Sequence, residues 1–361
     1  MSARIAVLPG DGIGPEETAA AVRVLRAVLP DATFTEGAVG GSAIATHGTP
    51  LPEETLALAR ASDAVLFGAV GGNGFEHLTP DKRPEAAILG LRKAFGLYAN
   101  VRPARVFPGL ESRSPLRAEL ATGMDLVLVR ELTGGLYFGP RSLEPEDGVL
   151  TARDTLVYRD FEIERIARFA FALARTRRKR LTSIDKSNVI ISSQLWRRVV
   201  NDVAGDYPDV TLEHMLVDNA AMQLVRDPRA FDVIVTENMF GDILSDEAAM
   251  ITGTIGTAPS ASIGAPPDTK PFGIYEPISG TAPDIAGKGI ANPAAAILSA
   301  ALLARFSLGE TAVADAIDAA VADALRTGPR TPDLDGPAGV STEAFTDAVL
   351  ARLGAMADLP A

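Results

Sequence analysis

Cysteine is absent from the 361-residue chain. That excludes disulfides, thiolate zinc sites, iron–sulfur ligation and a cysteine nucleophile together. Histidine is scarce, and His47, His77 and His214 stand at no metal-ligand spacing, so all three read as structural. Long apolar runs are missing too. The most apolar stretch, residues 294–304, is about half the length a bilayer-spanning helix needs. Basic excess is missing: 34 Lys and Arg stand against 46 Asp and Glu, a formal charge of −12, which argues against nucleic acid or an anionic membrane as partner. Residues 1–10 do not read as a secretory signal, because the short apolar run stops at Pro9-Gly10. The expectation is a cytoplasmic protein. With 47 % hydrophobic residues it has enough for a real core, and its length suits two or three lobes.

Short apolar runs alternate with amphipathic segments. Residues 5–8, 64–67, 126–129, 182–184 and 233–235 read as buried strands, and 16–28, 84–95, 162–175 and 193–203 as helices. The alternation predicts an α/β protein with a largely parallel sheet. Residues 98–103 and the Gly/Pro/Ser-rich stretch 252–267 look like crossings between lobes. They divide the chain into a discontinuous first domain, 1–98 plus 253–361, and a second, 99–252. The basic run 175–180 reads as a solvated helix end favoured by the helix dipole. Leu8-Pro-Gly-Asp-Gly-Ile-Gly-Pro-Glu16 follows a strand and precedes a helix, yet it is no dinucleotide fingerprint: Pro15 occupies the place of the third glycine.

Three constellations carry chemistry. In Phe240-Gly-Asp-Ile-Leu-Ser-Asp246, Asp242 and Asp246 fall at i and i+4, on one helix face, and Asp218 is a third acid nearby in type. Hard oxygen ligands suit Mg²⁺ or Mn²⁺; acids offsetting a helix dipole are the equal alternative. Arg92, Arg102 and Arg130 stand at turn-like positions, and three converging guanidinium forks would suit a di- or tricarboxylate. Taken singly, each suits a structural ion pair. Tyr137 and Lys186 are candidates for proton transfer, the lysine if cations beside it and partial burial lower its pKa. Residues 275–293 are too rich in Gly and Pro for a helix or strand and read as a long functional loop, in which Asp284 could accept hydrogen bonds from a ribose diol.

Together these words resemble the β-decarboxylating dehydrogenases of isocitrate, isopropylmalate, homoisocitrate and tartrate/malate, from about residue 4 to 353. Val129-Arg-Glu-Leu-Thr-Gly-Gly135 and Arg83-Pro-Glu-Ala-Ala-Ile-Leu-Gly-Leu-Arg-Lys93 stand nearest to the members acting on isopropylmalate. Isocitrate and homoisocitrate enzymes usually carry Asn and Glu in place of Leu132 and Gly134.

The resemblance implies a two-lobed fold with a central cleft, not a standard Rossmann fold. It implies NAD-dependent oxidative decarboxylation of 3-isopropylmalate to 4-methyl-2-oxopentanoate, a step of leucine biosynthesis. The alternatives are a paralogue acting on D-malate, tartrate or homoisocitrate, and a noncatalytic regulatory relative. It further implies a homodimer with shared sites. Arg92, Arg102 and Arg130 would grip the malate carboxylates, and Asp242 and Asp246 would hold Mg²⁺ or Mn²⁺ with Asp218 of the partner subunit, which also meets the substrate. Tyr137 and the partner's Lys186 would handle protons. Glu85, Ile88 and Leu89 would face the isopropyl group and the nicotinamide. The first domain would carry most of the NAD-binding positions, Ile13, Gly72, Glu85, Glu276, Gly280, Thr281, Ala282, Asp284, Ile285, Ala291 and Asn292, and the second the metal and dimer contacts. Ser279 replaces a histidine that family members often stack on the adenine. Ala69 and Asn73-Gly-Phe75 also depart from the family pattern, beside the nicotinamide.

Overall fold

The computed structural model describes residues 2–266 and 269–357. Twelve strands are present among them: β1 (Arg4–Gly10), β2 (Thr33–Glu36), β3 (Ala64–Ala69), β4 (Ala99–Arg105), β5 (Asp125–Glu131), β6 (Arg141–Glu146), β7 (Val149–Asp154), β8 (Arg180–Asp185), β9 (Thr211–Leu216), β10 (Val233–Thr236), β11 (Pro259–Ile263) and β12 (Gly273–Pro277). Ten form one sheet in the order β2-β1-β3-β12-β11-β4-β5-β10-β8-β9, while β6 and β7 make a separate hairpin. The expected strands are the hearts of β1, β3, β5, β8 and β10. The expected helices are Gly14–Val28, Ala86–Ala94, Asp160–Arg175 and Ile191–Ala204. β3, β5 and β10 read as unbroken apolar runs because both of their faces are covered.

The sheet is parallel on its two flanks and antiparallel in the middle, where β12, β11, β4 and β5 alternate in direction. The two stretches expected as crossings contain β4 and β11, which pair with each other. Both are strands of the sheet; Pro267, at the end of the second stretch, lies outside the described residues. The long loop expected from residue 275 likewise starts late, because Tyr275–Pro277 complete β12.

Residues directly opposite one another on neighbouring strands share a face. One row across the sheet reads Ala6, Val65, Ile274, Ser262, Asn100, Arg130, Thr236 and Ile184. It is apolar at both ends and polar in the middle. The row behind it, on the opposite face, reads Leu66, Tyr275, Ala261, Val101, Val129 and Val235, all buried and apolar or aromatic. The cores follow this pattern. One continuous cluster covers the back face from Ile5 to Val233. The front face carries two separate clusters, one around Leu8, Phe67 and Leu91 and the other around Leu128, Ile234 and Leu244. Between them the polar strip of β12, β11, β4 and β5 is left as the floor of a cleft.

The basic run 175–180 is only partly a solvated end. Arg177 reaches Asp232, which is buried, and Asp125, each at 2.9 Å, tying the helix Asp160–Arg175 to the sheet.

Candidate active site

The floor supplies Arg102 and Arg130, one from β4 and one from the end of β5. One wall is the helix Asn238–Ile251, whose first turn is capped by Glu237 accepting from the amides of Phe240 at 2.8 Å and Met239 at 3.1 Å. Leu244, Ala248 and Ile251, at i, i+4 and i+7, are buried in the core. That turns Asp242, Ser245 and Asp246 toward the arginines. Arg130 Nη1 donates to Asp242 Oδ1, and Tyr137 OH donates to Asp242 Oδ2 at 3.1 Å. Arg102 Nη1 donates to Ser245 Oγ at 2.7 Å and to Asp246 Oδ1 at 3.1 Å.

The opposite wall is the helix Ala86–Ala94. Arg92 lies in its last turn and donates through Nη2 to Glu276 Oε1 at 2.7 Å. Glu85, Ile88 and Leu89 precede Arg92 by seven, four and three residues, so all three share its helix face. Leu89 is half exposed and Ile88 is partly packed on the core. Burial pulls the pKa values of Arg102 and Arg130 below the usual guanidinium value. Arg92 opposes the charge on both, while Asp242 supports both and Asp246 supports Arg102. The Nε of Arg92 is buried without a hydrogen-bond partner. Three mutually repelling cations and an orphaned donor are what a bound polycarboxylate would relieve. Burial, then Asp242, raises the Tyr137 pKa and keeps its phenol protonated.

Five of the catalytic and metal candidates and substrate arginines therefore gather here: Arg102, Arg130, Tyr137, Asp242 and Asp246, with Arg92 across the cleft. Lys186 and Asp218 do not. They pair with each other, Nζ donating to Oδ1 at 2.6 Å, and this bond holds the Asp218 carboxyl below its usual range. Lys186 thus faces a carboxylate, not the cations expected from sequence, because β8 and β9 run parallel side by side and bring their C-terminal ends together. Among the described residues, no three acidic or histidine side chains of one chain gather closely enough to hold a metal ion. The donor chemistry of Asp242 and Asp246 suits Mg²⁺ or Mn²⁺.

The cofactor candidates cluster around the C-terminal end of β1. The Ile13 amide donates to Thr281 O at 2.9 Å. Gly12, at φ 60°, brings its backbone so close that a β-carbon would lie 2.0 Å from that same Thr281 oxygen. Glu85 Oε1 approaches the Gly71-Gly72 turn. At Gly72 and Gly280 a β-carbon would meet nothing within 4 Å, which leaves room for a ligand. Ala282 takes a positive φ of 37°, Asp284 is exposed and Ile285 half-buried. Buried Ala291 and Asn292 close the loop, Asn292 donating to Asp333 Oδ2 at 3.0 Å. Ser279 donates to Glu17, a buried acid whose pKa burial raises to about 8. These positions leave open space beside the backbone at Gly72 and Gly280. Glu276 is committed to Arg92.

Sequence reasoning missed Asn100 and Asn238. Both are buried, and each accepts from the Nε of a cleft arginine, at 2.7 Å for Asn100 and Arg102 and at 2.9 Å for Asn238 and Arg130. Asn238 stands two residues before the acidic motif. Asn100 is polar inside a stretch that otherwise reads as a lobe boundary.

A model of the isocitrate/isopropylmalate dehydrogenase family matches residues 4–349. The chain is 56 % identical to the 3-isopropylmalate dehydrogenase of Geobacillus kaustophilus, over 96 % of this chain and 94 % of that one. It is 57 % identical to that of Novosphingobium aromaticivorans, over 97 % and 100 %. Among solved structures, the isocitrate dehydrogenase of Methylococcus capsulatus superposes with a TM-score of 0.84 at 36 % identity, covering 98 % of this chain and 99 % of that one. A β-decarboxylating dehydrogenase of Thermococcus kodakarensis gives 0.83 at 39 %, covering 99 % and 98 %.

Proposed function

From the premise that the chain belongs to the isocitrate/isopropylmalate dehydrogenase family, we propose that it oxidises and decarboxylates 3-isopropylmalate to 4-methyl-2-oxopentanoate with NAD⁺ and Mg²⁺ or Mn²⁺, as a cytoplasmic homodimer. The observation that carries the reading is the convergence of Arg102 and Arg130 on Asp242 and Asp246, with Tyr137 hydrogen-bonded to Asp242. NAD⁺ would supply the hydride acceptor, and a divalent cation held by Asp242, Asp246 and Asp218 of the partner subunit a Lewis acid at the substrate's C2 oxygen.

The chain's own residues do the rest. Arg92, Arg102 and Arg130 hold the two carboxylates of the malate and fix C2 for hydride loss. Lys186 of the partner subunit takes the C2 hydroxyl proton as hydride departs. The β-keto acid so formed loses CO₂, and the protonated Tyr137 returns a proton to the enolate carbon. Ile88 and Leu89, on the Arg92 face, offer the γ-substituent an apolar contact.

Two features support the homodimer. The β6–β7 hairpin exposes Leu143, Val149 and Leu150 at 65, 65 and 68 %, and an isolated two-stranded hairpin is at best marginal in water. Met222, Ile243 and Met250, on the helices that carry Asp218 and Asp242, are exposed too. A second copy covering this surface is the proposed source of the partner's Lys186 and the partner's Asp218.

The test is NADH formation from 3-isopropylmalate beside D-malate, isocitrate and homoisocitrate. Burying the isopropyl group is worth about 2 kcal/mol, so kcat/KM for 3-isopropylmalate should exceed that for D-malate by about thirtyfold. A ratio near one, or preference for another of these acids, overturns the substrate reading.

A further inference from the structure

We infer that Asn100 and Asn238 are positioning residues, a matched pair of uncharged acceptors that aim the forks of Arg102 and Arg130 into the cleft without neutralising them. The inference rests on the reading that these arginines hold the substrate's carboxylates. Each guanidinium has one Nε–H and two Nη groups. In both arginines the Nε–H is taken by the side-chain oxygen of a buried asparagine. This turns the Nη edge, the edge that binds carboxylates bidentately, toward the cleft.

Neither asparagine is free to turn. The Asn238 amide nitrogen donates to Gly134 O at 3.1 Å, and its backbone N–H donates to Tyr158 OH at 2.9 Å. The Asn100 amide nitrogen donates to Ser260 Oγ at 2.9 Å and lies 3.3 Å from Ala261 O. The acceptor oxygen is thereby locked toward the arginine in both cases. Asn238 does more than its counterpart, since through Gly134 it also ties down the turn that leads to Tyr137. Arg92, the third cleft arginine, has no such partner, and its Nε is orphaned.

The absence of charge matters. An aspartate at either position would have the same shape and would accept from Nε as well. It would also pair with the guanidinium in a buried setting and compete with the substrate carboxylate for its charge. An amide orients the fork and adds no further negative charge to those of Asp242 and Asp246.

The test uses the full-length enzyme with Asn238→Asp, Asn238→Ser and Asn100→Asp. Each is compared with the unmodified enzyme across pH 6–9 for kcat and for the Michaelis constants of substrate and cofactor. The aspartate variants should raise KM for 3-isopropylmalate by about tenfold or more at neutral pH, with KM for NAD⁺ unchanged. That rise should persist across pH 6–9, because an aspartate held against a guanidinium stays ionised throughout that range. Asn238→Ser keeps a neutral oxygen at shorter reach, so its KM should rise, and by less than that of Asn238→Asp. A merely structural role would alter Tm, kcat and both KM values together and would overturn the proposal. Unchanged KM for 3-isopropylmalate in the folded aspartate variants overturns it too. If one aspartate variant fails to fold, the other carries the same comparison, and a normal KM in Asn238→Ser stands against the proposal independently. Absence of 3-isopropylmalate turnover by the unmodified protein would instead refute the substrate reading on which it rests.

Discussion

Gly241 is where the packing of the fold and the geometry of the site meet, and Gly241→Ala is the sharpest perturbation of both. It lies in the helix Asn238–Ile251, beside Asp242, with its hydrogen-only face turned to β5. A β-carbon there would stand 2.7 Å from Cβ and Cγ of Arg130 and 3.3 Å from its Cα. Ordinary contact starts near 3.4 Å, so helix and strand must part by about 0.7 Å or more. Two opposing terms act on stability. Alanine in a helix interior is better than glycine by about 1 kcal/mol. Overpacking a dense core costs about 1–3 kcal/mol. The net loss should be about 0–2 kcal/mol, a small fall in Tm by calorimetry or fluorescence. The effect on turnover should be much larger. A shift approaching 1 Å between Arg130 and Asp242 sits where reacting groups have to be aligned, and such a misplacement costs about a hundredfold in rate. Steady-state NADH formation checks this, with kcat/KM for 3-isopropylmalate expected to fall by about two orders of magnitude. A Gly241→Ala enzyme with Tm raised and kcat/KM unchanged would show that the helix can retreat freely, and would refute the claim that close packing of this glycine sets the site.

The remaining expectations concern charge and assembly. Mixing inactive Lys186→Ala subunits with inactive Tyr137→Phe subunits should restore activity in heterodimers; no recovery at any ratio, with subunit exchange verified by mass spectrometry, contradicts a site shared between copies. NAD⁺ should be preferred over NADP⁺ by about a hundredfold or more in kcat/KM, since a 2′-phosphate would meet the Asp284 carboxylate, and the double change Asp284→Lys with Ile285→Tyr should narrow the gap; equal kcat/KM in the unmodified enzyme contradicts it. Glu17 is raised by burial from 4.5 to about 8, so its folded form holds a proton that its unfolded form releases. Its contribution to stability is therefore full below pH 4.5 and is lost as pH rises toward 8. Glu17→Gln should raise Tm at pH 9 and do little at pH 4, and an equal change at both values excludes titration of this group.

Much of the site was legible because its signals are local. Asp242 and Asp246 lie one helical turn apart, and Arg130 ends an apolar strand, so period and punctuation suffice to select them. β4 was harder. Its Arg-Pro-Ala-Arg ending obscures the alternation, and Asn100 and Arg102 make sense as inward-facing residues only beside Ser262 of β11 and Arg130 of β5, which lie far along the chain. The same non-locality hides the partner of Lys186, because the register of β8 and β9 is fixed by side chains on both strands. β12 lacks a strand signature for another reason. Tyr275, Glu276 and Pro277 open a run dense in Gly and Pro, and their extended form comes from pairing with β3 and β11 rather than from intrinsic preference.

The position of β12 in the sheet also shapes the birth of the protein on the ribosome. Its place is between β3 and β11, yet about two hundred residues separate the end of β3 from its arrival. At roughly 5–20 residues per second, β3 waits roughly 10–40 s with one edge unpaired. All six of its residues are buried in the finished protein, so the waiting edge is apolar as well as open, the form of strand most prone to pair with a stranger. The strands β4, β5, β8, β9 and β10 suffer no such delay, for they are adjacent in the sheet and complete by Thr236. The nascent chain therefore assembles out of sequence order. The middle of the polypeptide becomes a template first, and the N-terminal strands are sealed against it only when about three-quarters of the message has been read.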